Sequence, residues 1–368
     1  MSDLIHGGDL QTAQRRFGIP LSDWLDLSTG INPTAYPLPE LTAELFQQLP
    51  YQSEAFGAAV HCYYGGEGVA CSGTQQAIEQ LPQLLPSLPV LLPECGYQEH
   101  RYSWGASGAA LSYYPADDLD RATAGIEQHL QLGEPFHLLL INPNNPTGLQ
   151  FSPQQICQWA ERMPQGGYLI VDEAFIDLSP EQSVLSDYAR FSALGNLIVL
   201  RSFGKFFGLA GIRLGFIFAN ESLMARMTTA FGPWAVNGPA QQIAINALQD
   251  KTWQQRASAQ ITVSAALTRQ IWQPLAEAVD AEWLASDGLF LSFRLKRETA
   301  KQIYQFFAQR GVLIRLVQGH ELNGFPPGTD AEQPHQTCLI RSGLVDAETE
   351  QQCERLKQVI SEFLLTLD

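Results

Sequence analysis

Between about residue 36 and residue 220, short apolar runs alternate with helical patterns, and this alternation limits the possible folds more than any other feature. The runs lie at 88–92, 136–141, 168–171, 196–200 and 214–219, and they are nearly continuous in apolar residues. A strand that is apolar at consecutive positions is buried on both faces. That requires a mainly parallel sheet covered by helices, an α/β architecture. Groups that do chemistry are then expected where the strands end.

After Pro233 the pattern changes. A long helical stretch at 240–275 is followed by β-type runs at 289–295 and 336–341 and by an amphipathic helix at 347–365. We expect an arm at 1–35 containing a short helix near 10–17, a large domain at 36–235 and a smaller α+β domain at 236–368. A chain of 368 residues buries about three quarters of its unfolded surface, enough for two lobes.

Charge narrows the partners. Asp and Glu number 38 against 22 Lys and Arg, a net charge of −16, which repels nucleic acid and anionic lipid. Basic residues are so scarce that each one inside an apolar segment needs a reason. The six cysteines lack the close spacing of a metal or redox site, so no metal is expected and reduced thiols are. Residues 1–8 lack a basic stretch leading into an apolar one, and no 18-residue apolar run occurs, so a cytoplasmic protein is expected.

Four segments carry chemistry. The run at 196–200 leads into Ser202, Lys205 and Arg213 among glycines and phenylalanines. An ammonium in apolar surroundings loses hydration, which frees the amine to attack a carbonyl; Lys205 is a Schiff-base candidate, although a lysine's ordinary fate is to snorkel to solvent. The run at 168–171 ends in Asp172 and Glu173. A carboxylate there needs a cation, and a protonated pyridine nitrogen suits Asp172, while Glu173 reads as a helix cap or loop carboxylate. Asn142-Pro-Asn-Asn-Pro-Thr-Gly148 follows another run, with amides able to donate to a ring oxygen or a carboxylate. Ser72, Gly73 and Thr74 stand at a helix start, where exposed N–H groups and hydroxyls form an anion cup.

In order and spacing, the Asn-Pro-Thr-Gly, Asp-Glu-Ala-Phe and Ser-x-x-Lys-x7-Arg elements resemble the fold-type-I, aspartate aminotransferase-like enzymes that use pyridoxal 5'-phosphate, on the histidinol-phosphate aminotransferase branch. His6-Gly-Gly8 and Leu25-Asp-Leu-Ser-Thr-Gly-Ile-Asn-Pro33 resemble the arm of the threonine-phosphate decarboxylases of cobalamin biosynthesis. The resemblance implies Lys205 as the Schiff-base lysine, Asp172 at the pyridine nitrogen and Asn145 at the ring hydroxyl. Around the cofactor phosphate it implies Ser72, Gly73, Thr74, Ser202 and Arg213. His100 is favoured as the ring stacked on the pyridine, with Tyr97 in reserve.

For the substrate, a small phosphorylated amino acid, the resemblance implies His6, Gly7, Asn32, Asn145, Arg315 and Arg341, and it implies a homodimer. Two departures from the transaminase pattern are Phe175, where a Tyr is usual, and Leu49, where a Tyr precedes Pro in a partner-subunit segment. Decarboxylation of phosphothreonine is therefore the leading expectation. Histidinol-phosphate transamination and a non-catalytic binding protein of the same fold are the alternatives.

Overall fold

The computed structural model describes residues 4, 6–285, 288–317 and 337–367. Contacts divide the chain into two compact units. One comprises Ala35–Asn145 and Leu149–Arg256, and the other Met1–Thr34, Pro146–Gly148 and Ala257–Asp368.

The first unit is built on seven strands: β1 (Val69–Cys71), β2 (Val90–Pro93), β3 (Leu111–Tyr114), β4 (His137–Ile141), β5 (Leu169–Asp172), β6 (Leu197–Ser202) and β7 (Gly215–Phe218). Their order is β1-β7-β6-β5-β4-β2-β3, parallel from β6 to β3, with β7 antiparallel to both its neighbours. All five expected runs are strands. Every residue of β2, β4, β5, β6 and β7 is buried, which is why their apolarity is continuous. β1 and β3 escaped notice because each is only three or four residues long and partly exposed.

Register decides what meets at the strand ends. Ile141 pairs with Asp172, Asp172 with Leu200, and Gly215 with both Ser202 and Cys71. The last residues of β1, β5 and β6 thus lie along one edge of the sheet. Helix α1 (Thr74–Leu84) leaves β1 through Gly73 (φ +74), burying Ala77, Ile78 and Leu81; helix α2 (Gln98–Ala106) buries His100 and Trp104. These apolar groups pack on Ile170 and Ile198 of the sheet. The expected stretch at 240–275 is two helices, Gly238–Gln249 and Lys251–Ala278. Asp250 separates them, its carboxylate accepting from Trp253 N at 2.9 Å to open the second.

The other unit holds an antiparallel sheet of β8 (Glu282–Ala285), β9 (Phe290–Lys296), β10 (Arg315–Val317) and β11 (Thr337–Gly343), in the order β10-β11-β9-β8. The run expected at 336–341 continues to Gly343; Gln336 lies outside the described residues, as do Met1, Ser2, Asp3 and Ile5 of the expected arm. Leu25–Asp26 pairs in parallel with Val312–Leu313, and Gly343 N donates to Leu27 O at 2.6 Å. Those bonds knit the N-terminal segment into the C-terminal one. Its helix, Leu10–Phe17, is capped by Asp9 and ended by Gly18 at φ +73. Five cysteines are buried and Cys62 is exposed. Among the described residues no helix is long and apolar enough to cross a membrane.

Two predictions follow from packing. A Cβ on Gly215 would stand 2.6 Å from Thr74 N and 2.9 Å from Gly73 C, so Gly215→Ala must push β7 from the start of α1. Urea denaturation of the variant should show a loss of about 1–3 kcal/mol, the usual cost of overpacking. His137 is fully buried; Nε2–H donates to Pro86 O at 2.9 Å, and Nδ1 accepts from Tyr168 N at 3.0 Å. Burial holds this imidazole below its ordinary 6.5, against the Pro86 bond. Below about pH 6.5 the unfolded chain therefore binds a proton that the folded chain refuses. Stability from this group is complete above that pH and falls on acidification, by at most about 1.4 kcal/mol per pH unit. His137→Gln should flatten the dependence of unfolding free energy on pH between 7.5 and 5.5; an unchanged slope contradicts this account.

Candidate active site

A cavity of about 100 Å³ opens at the C-terminal ends of β4, β5 and β6. Its floor is Asp172, only 3% exposed. Both oxygens of this carboxylate are engaged: Oδ2 accepts from His100 Nε2 at 2.9 Å, and Oδ1 from Ala174 N at 3.1 Å. An imidazole with Nε2–H directed at the carboxylate compensates its burial and fixes its plane.

His100 is buried behind Asp172, whereas the Tyr97 ring lines the cavity. Helix geometry accounts for the difference. Tyr97 is the cap residue of α2, and His100, three residues on, turns inward beside Trp104. The Tyr97 hydroxyl donates to Gln75 Oε1 at 3.3 Å, and Gln75 Nε2 donates to Glu99 at 3.0 Å and Glu79 at 2.9 Å. Gln75 thus ties the start of α1 to the start of α2. No sequence motif announced it, because glutamine on a helix surface is ordinarily solvated.

Lys205 enters from helix α3 (Phe203–Phe206), the single turn after β6. In the flanking sequence, Phe203 and Phe207 stack at 4.3 Å, and Phe207 stacks on Trp253 at 5.6 Å. Nζ stands 5.6 Å from the centroid of the Phe175 ring. An amine, a buried carboxylate and the Asn145 amide thereby share one cavity.

The opposite wall is the anion cup. Gly73, Thr74, Ser202 and Arg213 all line the cavity. A Cβ at Gly73 would lie 2.7 Å from Arg213 Nη2, so only glycine lets the guanidinium approach the helix start. Arg213 itself sits at φ +56, an uncommon conformation for a side chain of its size. Ser72 is exposed, its N–H donating to Gln76 Oε1 at 2.8 Å, and it does not line the cavity.

These residues fit pyridoxal 5'-phosphate: a guanidinium, a hydroxyl and helix N–H groups for a dianion at one end, a buried carboxylate for a ring nitrogen, and a primary amine for an aldehyde.

Behind the strand ends, Glu173 and Arg201 face away from the cavity. Arg201 Nη2 pairs with Asp177 at 2.6 Å and Nη1 with Glu173 at 3.5 Å, and all three side chains are at most 3% exposed. Burial pushes the Glu173 carboxyl above its ordinary range, opposed by Arg201. Glu173 is a loop carboxylate, in the segment after β5, but a buried one paired with Arg201 rather than a solvated one.

In the other unit, a second cavity of about 350 Å³ is lined by His6, Arg16, Ser28, Tyr304 and Arg315. Ser28 Oγ accepts from Gly8 N at 2.7 Å and donates to Asp26 Oδ1 at 2.5 Å, holding the His6-Gly7-Gly8 turn. Arg341 donates through Nη2 to Ser28 O and would meet a Cβ on Gly7 at 3.3 Å. Arg315 and Arg341 are directly opposite in the β10–β11 register, so two guanidinium groups project from one face. His6, Gly7, Arg315 and Arg341 are therefore gathered, while Asn32 is buried and accepts from Thr34 N at 3.0 Å.

Residues 38–326 match the family described as aminotransferase class I and II. The threonine-phosphate decarboxylase of Pseudomonas aeruginosa is 39% identical over 316 residues, 85% of this chain and 89% of that protein. That of Sinorhizobium sp is 40% identical over 258 residues, 68% and 73% respectively. Among solved structures, a histidinol-phosphate aminotransferase from Sinorhizobium meliloti in complex with pyridoxal-5'-phosphate superposes with a TM-score of 0.74 at 20% identity, covering 98% of this chain and 96% of that one. An L-threonine-O-3-phosphate decarboxylase from Porphyromonas gingivalis gives 0.69 at 18%, covering 92% and 99%. Those two likenesses establish the fold, which is the fold type I expected from the motifs, and the matched length and identity establish that the chain belongs to the aminotransferase class I and II family.

Proposed function

We propose that this chain is a pyridoxal-phosphate-dependent lyase that decarboxylates O-phospho-L-threonine to (R)-1-amino-2-propanol O-phosphate and CO2, a step in making the side arm of cobalamin. The observation that carries the reading is 39% identity to a threonine-phosphate decarboxylase across 85% of the chain. The cavity that joins Lys205, Asp172 and the anion cup agrees with it.

When bound, the cofactor supplies an electrophilic aldehyde and a ring that takes up the electron pair left at Cα when a bond there breaks. The chain's residues do the rest. Gly73, Thr74, Ser202 and Arg213 would hold the cofactor phosphate, and Tyr97, which lines the cavity where His100 does not, would cover the ring. Asp172, oriented by His100, would keep a proton on the ring nitrogen, and the Asn145 amide would donate to the ring oxygen. Lys205 would hold the cofactor aldehyde and would carry the proton that takes the place of the lost carboxylate at the substrate Cα. Arg341 forks the substrate carboxylate, and Arg315 with His6 takes the substrate phosphate; two cations on one face suit a ligand with several negative charges. By holding the carboxylate, Arg341 would set which bond to Cα is presented for cleavage.

Phe175 supports lyase over transaminase chemistry, since a phenolic donor is missing where its ring meets Lys205. We further propose a cytoplasmic homodimer. Leu38, Phe46, Leu49, Tyr51 and Trp234 are 48–67% exposed, an apolar set that a second copy would cover.

Purified protein with cofactor and phosphothreonine should release CO2 without 2-oxoglutarate; stoichiometric glutamate formed from histidinol phosphate and 2-oxoglutarate would replace this reading with transamination. Lys205→Ala should lower kcat by about 10³-fold. Arg315→Met should raise KM about 10- to 100-fold, the loss of a charge-assisted hydrogen bond, with little effect on unphosphorylated threonine.

A further inference from the structure

Arg201, Glu173 and Asp177 form a buried cluster that the proposed reaction does not use. Arg201 Nη1 also donates to Ser183 Oγ at 3.1 Å, and that hydroxyl donates to Glu173 Oε2 at 2.5 Å. Glu173 Oε1 accepts from Val184 N at 2.8 Å. Tyr63 donates to Asp177 Oδ1 at 2.9 Å, and the guanidinium lies 4.8 Å from the Tyr64 ring centroid. Even so, Arg201 Nε has no hydrogen-bond partner.

Such a cluster is a poor device for stability. Desolvating three ionisable groups is costly, and well-packed apolar replacements of buried ion pairs are often neutral or stabilising. Its placement suggests another use. Glu173 directly follows Asp172, and Asp177 follows Phe175 by two residues on the turn Ile176–Leu178. Arg201 directly precedes Ser202 and the turn bearing Lys205. Strand alternation sends Asp172 and Ser202 to the cavity while sending Glu173 and Arg201 to the opposite side. The ion pairs therefore join, from behind, the segment carrying Asp172 and Phe175 to the one carrying Ser202 and Lys205.

We propose that the Arg201–Glu173–Asp177 cluster is a positioning clasp that fixes the Asp172–Phe175 segment against the Ser202–Lys205 turn, so that carboxylate, amine and phosphate cup meet one cofactor molecule at once. The inference rests on the cofactor reading above. None of the three residues touches the cavity; they act through their neighbours in sequence.

Two variants test it. Asp177→Asn keeps the side chain's shape and removes the charge facing Arg201. The triple variant Glu173→Leu/Asp177→Leu/Arg201→Met replaces the cluster with apolar groups. Each is titrated with pyridoxal 5'-phosphate, its visible absorption band followed against pH, and its kcat and KM measured alongside thermal melting. The clasp predicts a cofactor Kd raised about tenfold, a displaced midpoint of the band's pH titration, and kcat lowered about 10- to 100-fold with a smaller change in KM. For the triple variant it also predicts a melting temperature of the cofactor-free protein no lower than the wild type's. Variants whose Kd, band midpoint and kcat stay within about twofold of the wild type overturn the proposal, whatever their melting temperature. Wild-type protein that fails to take up the cofactor defeats the functional reading as well, whereas wild-type uptake with unchanged variants defeats the clasp alone.

Discussion

Burying a carboxylate at the end of an apolar strand costs several kcal/mol unless charge and hydrogen bonds are supplied to it, and the site depends on how that cost is met at Asp172. His100 donates to one oxygen and Ala174 N to the other. These bonds orient the carboxylate plane and leave it facing a cavity that also holds a primary amine. Helix α2 must pack close to β5 for His100 to reach, which Trp104 achieves against the sheet. Removing any of these contacts leaves a buried acid without a defined direction.

The sheet's topology turns that one carboxylate into a site. β7 returns antiparallel beside β6, so the connection between them stays short and places Lys205 and Arg213 near the β1 edge. Gly215 then stands between Cys71 and Ser202, where a side chain would displace the start of α1. Small residues at Gly73 and Gly215 leave room at the start of α1 for Arg213 and Thr74, as the His100 bond lets Asp172 stay buried.

Much of this was legible in the sequence, for physical reasons that differ from residue to residue. Continuous apolarity revealed β2, β4, β5, β6 and β7, because burial on both faces leaves no polar positions. Lys205, Asp172 and the cup glycine stood out as charged or flexible residues at the ends of those runs. Which of Tyr97 and His100 lines the cavity was beyond sequence, since it depends on which side of α2 faces the sheet. Ser72 marks the cup without lining it, its N–H held by Gln76. Glu173 and Arg201 had a signal that adjacency to better candidates concealed: a rare arginine inside an apolar strand, opposite an acid one strand away. Arg315 and Arg341 were read as separate anion ligands, and only the β10–β11 register places them side by side.

Lys205 is the amine proposed to meet the cofactor aldehyde. The most direct measurement is borohydride reduction after incubation with pyridoxal 5'-phosphate, followed by peptide mapping. A reduced pyridoxyl group on Lys205 alone is the predicted result. A label on Lys251, Lys296, Lys301 or Lys357 in its place, or none on any lysine, would contradict the site as described.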